Sequence, residues 1–354
     1  TNNKYNLING NIITLNNIDP SVNSISVCNG KIERINSPDP NYKTVDLQGL
    51  TVLPGLVDSH FHLSNFGKRL EMINLKGVKS INKVIEIVDK KVKELGPDTF
   101  IHGFGWDQTL WDIQDFPDSD VLNYFTNNPI ILTRIDGHSL WTNNAAIKLS
   151  PYESELVSPD GGEIINNCIF IDNAMDPIKS IIPKNSTDDI KRWIQTASNQ
   201  AIRWGITNVH DAWQDPNIFE AINSLIESKE LPIRCYGMIG ASHLELISNI
   251  LDNGHHVNKK YTVRSVKAFI DGALGSRGAA LIEPYSDDKN SCGLTLISHD
   301  EFLDIASKCS EANFQLCTHA IGDRGNRMVI DVYSKFFQKN YRWRIEHAQM
   351  ITYK

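Results

Sequence analysis

The sequence has little that would suit a membrane or a nucleic-acid surface. No apolar run approaches the ~20 residues that a membrane-spanning helix needs, and residues 1–6 lack the charged-then-apolar pattern of a signal peptide. We therefore expect a cytoplasmic protein without a membrane partner. Lysine and arginine number 35 against 42 aspartates and glutamates, for a formal net charge of −7. This balance argues against a nucleic-acid partner bound through a basic surface.

Two further motifs are missing from the 354 residues. The six cysteines form no CxxC pair, so we expect buried free thiols in place of disulfides or a cysteine zinc site. The glycines around Gly275 and Gly278 do not form a GxGxxG loop, which excludes that route to a bound dinucleotide. A chain of this length holds two domains or one large barrel with additions.

The first 51 residues differ in pattern from the rest. Short strand-like runs at 5–8 and 11–15 flank Asn9-Gly10, a hairpin signal, and alternating runs at 24–28 and 31–35 flank Asn29-Gly30. This pattern predicts two hairpins in a small antiparallel β unit, of the β-sandwich type, over residues 1–51.

From residue 52 the pattern changes to strands that alternate with helices, which predicts a parallel sheet or barrel over 52–354. Helices are expected at about 81–95, 187–204, 217–229 and 300–312. Strands are expected at 206–210, 233–239, 263–270, 314–319 and 343–347. Residues 63–205 hold additional strand-like segments. These could be extra barrel strands, but we favour an inserted subdomain.

Polar side chains recur where the apolar strands end. His60 and His62 close the first strand, Lys267 lies in another, and His319 and His347 end two later ones. In a (β/α) barrel these strand ends converge on the active site. A His-x-His pair on a strand places both rings on one face, where neutral imidazoles can chelate a divalent metal.

Several segments together resemble the amidohydrolase superfamily, in its YtcJ-like branch (amidohydrolase family 3), which includes N-substituted formamide deformylase. The similar segments lie at 52–62, 103–108, 134–139, 172–176, 205–211, 266–278, 319–326 and 344–349. The resemblance spans almost the whole chain and implies an α/β fold with a TIM-like (β/α) barrel.

The resemblance also implies a divalent metal, Zn²⁺ as one or two ions. Its ligands would be His60, His62, Lys267, His319 and His347, with Lys267 carboxylated in many relatives. The implied reaction is hydrolysis of a non-peptide C–N bond, of the N-substituted amide or formamide type, by metal-activated water. A deaminase or a C–O hydrolase on the same scaffold, and a non-catalytic metal-binding or regulatory protein, remain alternatives.

The family pattern also includes an Asp at the end of an eighth strand, which shuttles the proton. Only six barrel strands are accounted for before Lys354, so we expect this catalytic Asp beyond Lys354 and an incomplete barrel in the chain as given. The remaining partners would be a small amide-like substrate and, in a homodimer, a second copy of the chain.

Other residues are candidates with a structural alternative for each. Substrate contacts are predicted for Trp106, Asp107, His138 and Arg277. Asp271 and Asp323 follow ligand strands, where either could orient a ligand histidine or lie in a solvated loop. Glu346 should point away from the face that carries His347, because neighbouring strand residues alternate.

Overall fold

A computed structural model describes residues 3–336 and 341–352, with twenty strands and ten α-helices in that part of the chain. The predicted bounds at 1 and 354 therefore lie outside the described residues. The strands form four sheets: two small ones at the N-terminus, a six-stranded one, and a seven-stranded one that includes the predicted barrel strands.

The N-terminal strands are β1 (Lys4–Ile8), β2 (Asn11–Ile13), β3 (Ser21–Val22), β4 (Ile25–Cys28), β5 (Lys31–Ile35), β6 (Lys43–Asp46) and β7 (Thr51–Val52). One sheet has the order β5-β4-β1-β6 and the other β3-β2-β7. Buried side chains from both sheets, among them Ile12 and Ile25, pack in one apolar cluster.

One of the two predicted N-terminal hairpins is wrong. β4 and β5 pair antiparallel across Asn29-Gly30 as expected. In contrast, β1 pairs with β4 and β6, while β2 pairs with β3 and β7, and two of these pairings are parallel. At Asn9-Gly10 the chain turns from one sheet into the other, because Gly10 donates its N–H to Asn23 and leaves the β1 ladder. The unit is therefore mixed and not antiparallel.

The segment between the first two barrel strands forms a sheet of its own. Its strands are β9 (Ile73–Asn74), β10 (Ile101–Trp106), β11 (Ile130–Arg134), β12 (Ser139–Thr142), β13 (Gly162–Ile165) and β14 (Ile169–Asp172), in the order β13-β14-β12-β11-β10-β9. These strands fall within the predicted insertion and are not barrel strands.

The barrel strands are β8 (Leu56–Phe61), β15 (Ile206–Gln214), β16 (Arg234–Gly240), β18 (Tyr261–Phe269), β19 (Gln315–Ala320) and β20 (Arg344–His347), with β17 (His256–Val257) paired to β18. All six barrel strands pair parallel in the order β20-β19-β18-β16-β15-β8. The result is a mixed α/β fold with a nearly closed parallel barrel sheet. The guanidinium of Arg344 in β20 donates to the Ser59 carbonyl of β8 at 3.0 Å, so the two end strands approach each other.

The helices are α1 (Leu63–Glu71), α2 (Ile81–Leu95), α3 (Asp120–Asn123), α4 (Asn144–Ile147), α5 (Met175–Ser180), α6 (Thr187–Arg203), α7 (Pro216–Glu227), α8 (Leu244–Asn253), α9 (His299–Glu311) and α10 (Asp323–Tyr333). The four helices predicted from periodicity correspond to α2, α6, α7 and α9. Capping boxes at Ser186 and Ser298 define the starts of α6 and α9.

The largest apolar cluster lies between the barrel strands and their helices. It joins strand residues such as Val209 and Val263 to helix residues such as Ile194, Ile222 and Phe302. All six cysteines are free, as expected; four of them are buried, whereas Cys28 and Cys292 are partly exposed. Among the described helices, none is long and apolar enough to cross a membrane.

Candidate active site

The first strand presents its two histidines at the carboxyl end of the barrel. β8 ends at Phe61, and His62 caps the start of α1. The two rings lie 5.4 Å apart, centroid to centroid, at an interplanar angle of 81°. Both side chains are partly exposed. The period-two spacing predicted from His-x-His therefore holds in the structure.

Lys267 and His319 lie on neighbouring strands of the same sheet. β18 and β19 pair so that Lys267 is opposite Cys317 and Phe269 is opposite His319. Lys267 is fully buried, and its Nζ lies 4.6 Å from the centre of the Phe269 ring. Burial without a hydrogen-bond partner is costly for an ammonium group, and it lowers the pKa of Lys267 to about 8.

His347 brings the last predicted ligand to the same place. Its ring lies 4.8 Å from that of His60 and 4.6 Å from that of His319. The backbone of His347 has φ +75°, and that of Ala348 has φ +46°. The four predicted histidines thus form a continuous row of rings in the order His62, His60, His347 and His319.

The position of Glu346 contradicts the expectation that it points away from the face that carries His347. Its carboxylate lies 2.5 Å from His60 Nδ1 and 2.5 Å from Arg344 Nε, so it points into the site. Arg344 and Glu346 face the barrel interior as residues i and i+2 of β20. At His347 the backbone is left-handed, which ends the alternation. The His347 side chain therefore points into the same space as that of Glu346.

The contact between Glu346 and His60 favours the tautomer of His60 that carries its proton on Nδ1. When Nδ1 donates its proton to the carboxylate, Nε2 carries the free lone pair that a metal needs. Burial by itself would raise the pKa of Glu346, but the His60 hydrogen bond and the Arg344 charge outweigh it, so the pKa lies below its ordinary value. Glu346 is therefore an anion at neutral pH.

The other rings are neutral near pH 7. Burial lowers the pKa of His62 to about 4, with help from the neighbouring His60 and Lys267. Burial, followed by the nearby His319 and His60, also lowers the pKa of His347 to about 4. The pKa of His319 is lowered mainly by burial and next by Lys267. Neutral imidazole is the form that binds metal ions.

These residues gather at one point without forming a closed ligand cage. Among the described residues, no group of three His, Cys, Asp or Glu side chains has the spacing of a formed metal site. However, Lys267 Nζ and His319 Nε2 are buried with no hydrogen-bond partner in the described part of the chain. A cation held by the rings would give His319 Nε2 a partner, and carboxylation would give the Lys267 nitrogen one. The donor set thus fits a divalent metal.

Asp271 holds the loops behind the site. Its buried carboxylate accepts N–H groups from Ala280, Ile321 and Gly322 at 2.8–2.9 Å. It also lies 3.5 Å from His319 Nε2. Asp271 therefore ties the loop after β18 to the loop after β19. Asp323, the other acid predicted to orient a ligand, accepts instead from the N–H groups of Ile282 and Arg324 at the start of α10.

The structure contradicts the predicted substrate contact for Trp106. Its side chain is fully buried in the inserted sheet, packs against Trp111 and Trp141, and donates to the Leu132 carbonyl. The aromatic motif that suggested a pocket wall belongs to the core of the insertion. It buries a large apolar surface there and satisfies its indole N–H locally.

The remaining predicted substrate contacts make local interactions outside the row of histidine rings. Asp107 accepts from the Thr109 N–H and caps a short 3₁₀ turn. The exposed His138 lies 2.8 Å from Asp172. Arg277 pairs with Asp287 and Asp288. None of these contacts brings the side chain to a predicted metal ligand.

His210, predicted at the end of the second barrel strand and near the pocket, lies close to the site together with Arg344 and Asp211, for which no role was predicted. Arg344 lies 3.2 Å from His210 Nδ1, in the barrel interior below Glu346. The fully buried Asp211 accepts the N–H of Leu63, the residue after His62, at 2.9 Å.

Comparison with known proteins gives a consistent assignment. A model of the amidohydrolase family matches residues 43–354. The chain is 29% identical to Protein LONG AFTER FAR-RED 3 of Arabidopsis thaliana, over 87% of this chain and 56% of that protein. It is 26% identical to the putative amidohydrolase YtcJ of Bacillus subtilis (strain 168), over 87% of this chain and 60% of the other.

Two further comparisons concern an enzyme of named activity and a solved structure. An N-substituted formamide deformylase from Arthrobacter pascens is 22% identical, over 86% of this chain and 60% of that enzyme. The crystal structure of an uncharacterised metal-dependent hydrolase from Pyrococcus horikoshii OT3 superposes with a TM-score of 0.80 at 26% identity, covering 99% of this chain and 71% of the other. The chain spans less than two thirds of the length of the curated relatives it matches.

Proposed function

The chain belongs to the amidohydrolase family, and we propose that it is a metal-dependent hydrolase of a non-peptide C–N bond. The observation that carries this proposal is the convergence of His60, His62, His319 and His347 beside the buried Lys267. A divalent cation, Zn²⁺ by its preference for neutral imidazole, would activate a water molecule and polarise the substrate carbonyl.

The chain's own residues prepare the ligands for such an ion. Glu346 would accept the Nδ1 proton of His60 and so leave Nε2 of that ring as the acceptor. The low pKa values of His62 and His347 keep both rings unprotonated at neutral pH. Lys267, once its neutral amine adds to carbon dioxide and loses a proton, would present anionic oxygens where an ammonium group would repel a cation.

An N-substituted amide or formamide is the substrate class to test first. The Arthrobacter pascens relative acts on N-substituted formamides by its name. Proton transfer to the leaving amine would need a carboxylate of the kind expected beyond Lys354. That Asp, the completion of the barrel by further strands, a homodimer and a β-sandwich arrangement of the two N-terminal sheets all remain predictions.

The experiment combines metal analysis with hydrolysis of N-formyl amines by the whole protein. We expect bound Zn²⁺, activity that a chelator removes and added metal restores, and loss of metal when His60 and His62 are both replaced by alanine. The matched control is His299→Ala, an exposed histidine paired with Asp300 at the start of α9, which should retain both metal and activity.

Two results would contradict the proposal at different points. A double variant that keeps the wild-type metal content would show that the site lies elsewhere. A fully metal-loaded protein that releases no formate from any N-formyl amine would reject the formamide substrate class. In that case, turnover of amine-bearing rings or of esters would point to the deaminase or C–O hydrolase alternative.

A further inference from the structure

A row of aromatic rings continues from the histidines along the mouth of the barrel. The Phe269 ring lies 5.0 Å from that of His319, and the Trp213 ring lies 5.1 Å from that of Phe269. The ring of His243 follows at 5.5 Å from Trp213. Trp213, His243 and Phe269 come from the ends of three successive strands, β15, β16 and β18, and all three are partly exposed.

A bulge in β15 aims Trp213 at this place. Between Asp211 and Gln214 the chain advances three residues while β16 advances two, from Gly237 to Ile239. Asp211 and Gln214 are therefore both on the outer side of the barrel, where the Gln214 amide donates to the Asp211 carboxylate. The extra residue turns Trp213 inward, which a regular strand would not do.

Gly240 provides the space that the indole occupies. A methyl group placed on its Cα would lie 2.6 Å from the Trp213 ring, closer than atoms can approach. The indole therefore lies directly on the backbone of β16. The bulge in β15 and the absence of a side chain at Gly240 together place an aromatic surface beside the row of histidines.

We infer that Trp213, Phe269 and His243 form a recognition wall for a planar apolar substituent of the substrate. The inference rests on the proposed function, since the wall begins one ring away from His319. A scissile carbonyl at the histidines would place the rest of a substrate against Phe269 and then Trp213. Flat apolar groups gain most from such a surface, because they stack on it without exposing polar atoms.

The test compares two probes that differ only in a phenyl group, N-(2-phenylethyl)formamide and N-ethylformamide. Affinity for the metal-loaded protein is measured by ligand-observed NMR, and kcat/KM by formate release. We expect the wild-type protein to prefer the phenyl probe by about 10- to 200-fold, the range that apolar pocket contacts supply. Trp213→Ala should bring the ratio of both quantities close to one, because the phenyl probe loses its advantage.

Further variants keep the test independent of folding. Gly240→Ala displaces the indole without removing it and should also lower the ratio, while Trp213→Phe should retain part of it. Trp204→Ala, which removes a tryptophan that is 54% exposed at the end of α6, is the control and should keep the wild-type ratio. Thermal unfolding of each variant shows whether the fold is intact.

The outcomes distinguish a failure of the recognition wall from a failure of the proposed reaction. Equal affinity of the wild-type protein for both probes, or a Trp213→Ala ratio like that of Trp204→Ala, would overturn the wall even if both formamides are hydrolysed. Selective binding of the phenyl probe that depends on Trp213, without release of formate, would support the wall and reject the proposed reaction.

Discussion

Asp211 is a buried carboxylate that joins the first two barrel strands. It accepts the N–H of Leu63 at 2.9 Å and the side-chain amide of Gln214 at 2.8 Å. Burial raises the pKa of Asp211 from its ordinary value of 3.8 to about 6, although both hydrogen bonds oppose the shift. Because Leu63 directly follows His62, this carboxylate also fixes the end of the His-x-His segment.

The raised pKa gives a pH dependence with a definite sign. Between about pH 4 and pH 6 the folded protein holds a proton on Asp211 that the unfolded chain has lost, so this group's contribution to stability declines as pH rises. Asp211→Asn removes that titration. We expect the variant's free energy of unfolding, relative to wild type, to rise by about 1–3 kcal/mol from pH 4 to pH 7.

The measurement is urea unfolding of both proteins at several pH values. The histidines with lowered pKa values produce the opposite trend in this window, but they are common to both proteins and cancel in the difference. The control is Asp252→Asn, which removes an exposed carboxylate on α8. A difference between Asp211→Asn and wild type that stays constant with pH would contradict the assigned pKa.

Among individual residues, the convergence of the candidate ligands could be predicted better than the positions of their neighbours. His60, His62, Lys267, His319 and His347 were expected to lie close together because strand ends in a parallel barrel converge by geometry. Their role as metal ligands stays a prediction. Glu346 was predicted on the wrong face of β20, because the alternation of polar and apolar residues does not indicate the positive φ of His347. The prediction for Trp106 was wrong because the residue type alone does not distinguish a tryptophan in a core from one that lines a pocket.

At the scale of elements, α1 links β8, the strand of the first two predicted ligands, to the outer helical layer. It begins at Leu63, immediately after His62, and its backbone at Gly67 packs closely against that of α6. A methyl group on Gly67 would lie 1.9 Å from the Trp193 carbonyl oxygen, which belongs to the backbone of α6. The helices can pack this closely only because residue 67 has no side chain.

Gly67→Ala should therefore force the two helices apart. The gain in helix propensity from glycine to alanine is about 1 kcal/mol, but a clash with backbone atoms costs more, so we expect a net loss of stability of about 1–3 kcal/mol. Because His62 caps α1, we also expect weaker metal binding. Chemical unfolding and metal titration measure the two effects.

Gly275→Ala is the control for this substitution, since no atom lies within 4 Å of the added methyl group. It should leave both quantities near the wild-type values. A Gly67→Ala protein as stable as Gly275→Ala would show that α1 and α6 can separate at no cost, and that their packing does not fix the position of His62.

The elements themselves were predicted well where local and long-range preferences agree. The strands and helices of the barrel follow from apolar periodicity and from capping residues such as Ser186 and Ser298. The prediction of the first N-terminal hairpin was wrong because Asn9-Gly10 is an equally good turn between two sheets. The bulge before Gln214 was also missed, since it arises from the fit of β15 to β16 and not from its own residues.

Considered as a whole, the molecule assembles one site from strands that are far apart in sequence. His60 and Glu346 are 286 residues apart and yet lie 2.5 Å from each other. They belong to β8 and β20, the two end strands of the barrel sheet. The site therefore forms only when all six barrel strands are in place, so a ligand that binds there stabilises the entire barrel.

This coupling predicts that metal raises the stability of the whole fold. Free metal at about 100 times its dissociation constant should add about 3 kcal/mol to the free energy of unfolding, because it binds the folded chain in preference to the unfolded one. A chelator should remove the gain, and His299→Ala should respond to metal as the wild type does. Calorimetry of the metal-loaded and chelated proteins gives both unfolding temperatures.

Lys267→Met separates ligand loss from damage to the fold. In the metal-free protein the substitution replaces a buried amine, whose pKa of about 8 reflects the cost of burying its charge, by an apolar chain of similar length. The metal-free variant should therefore be at least as stable as the wild type, while its gain in stability on adding metal should shrink or vanish. If the variant keeps the full gain, Lys267 takes no part in binding the ion, and the four histidines must hold it alone.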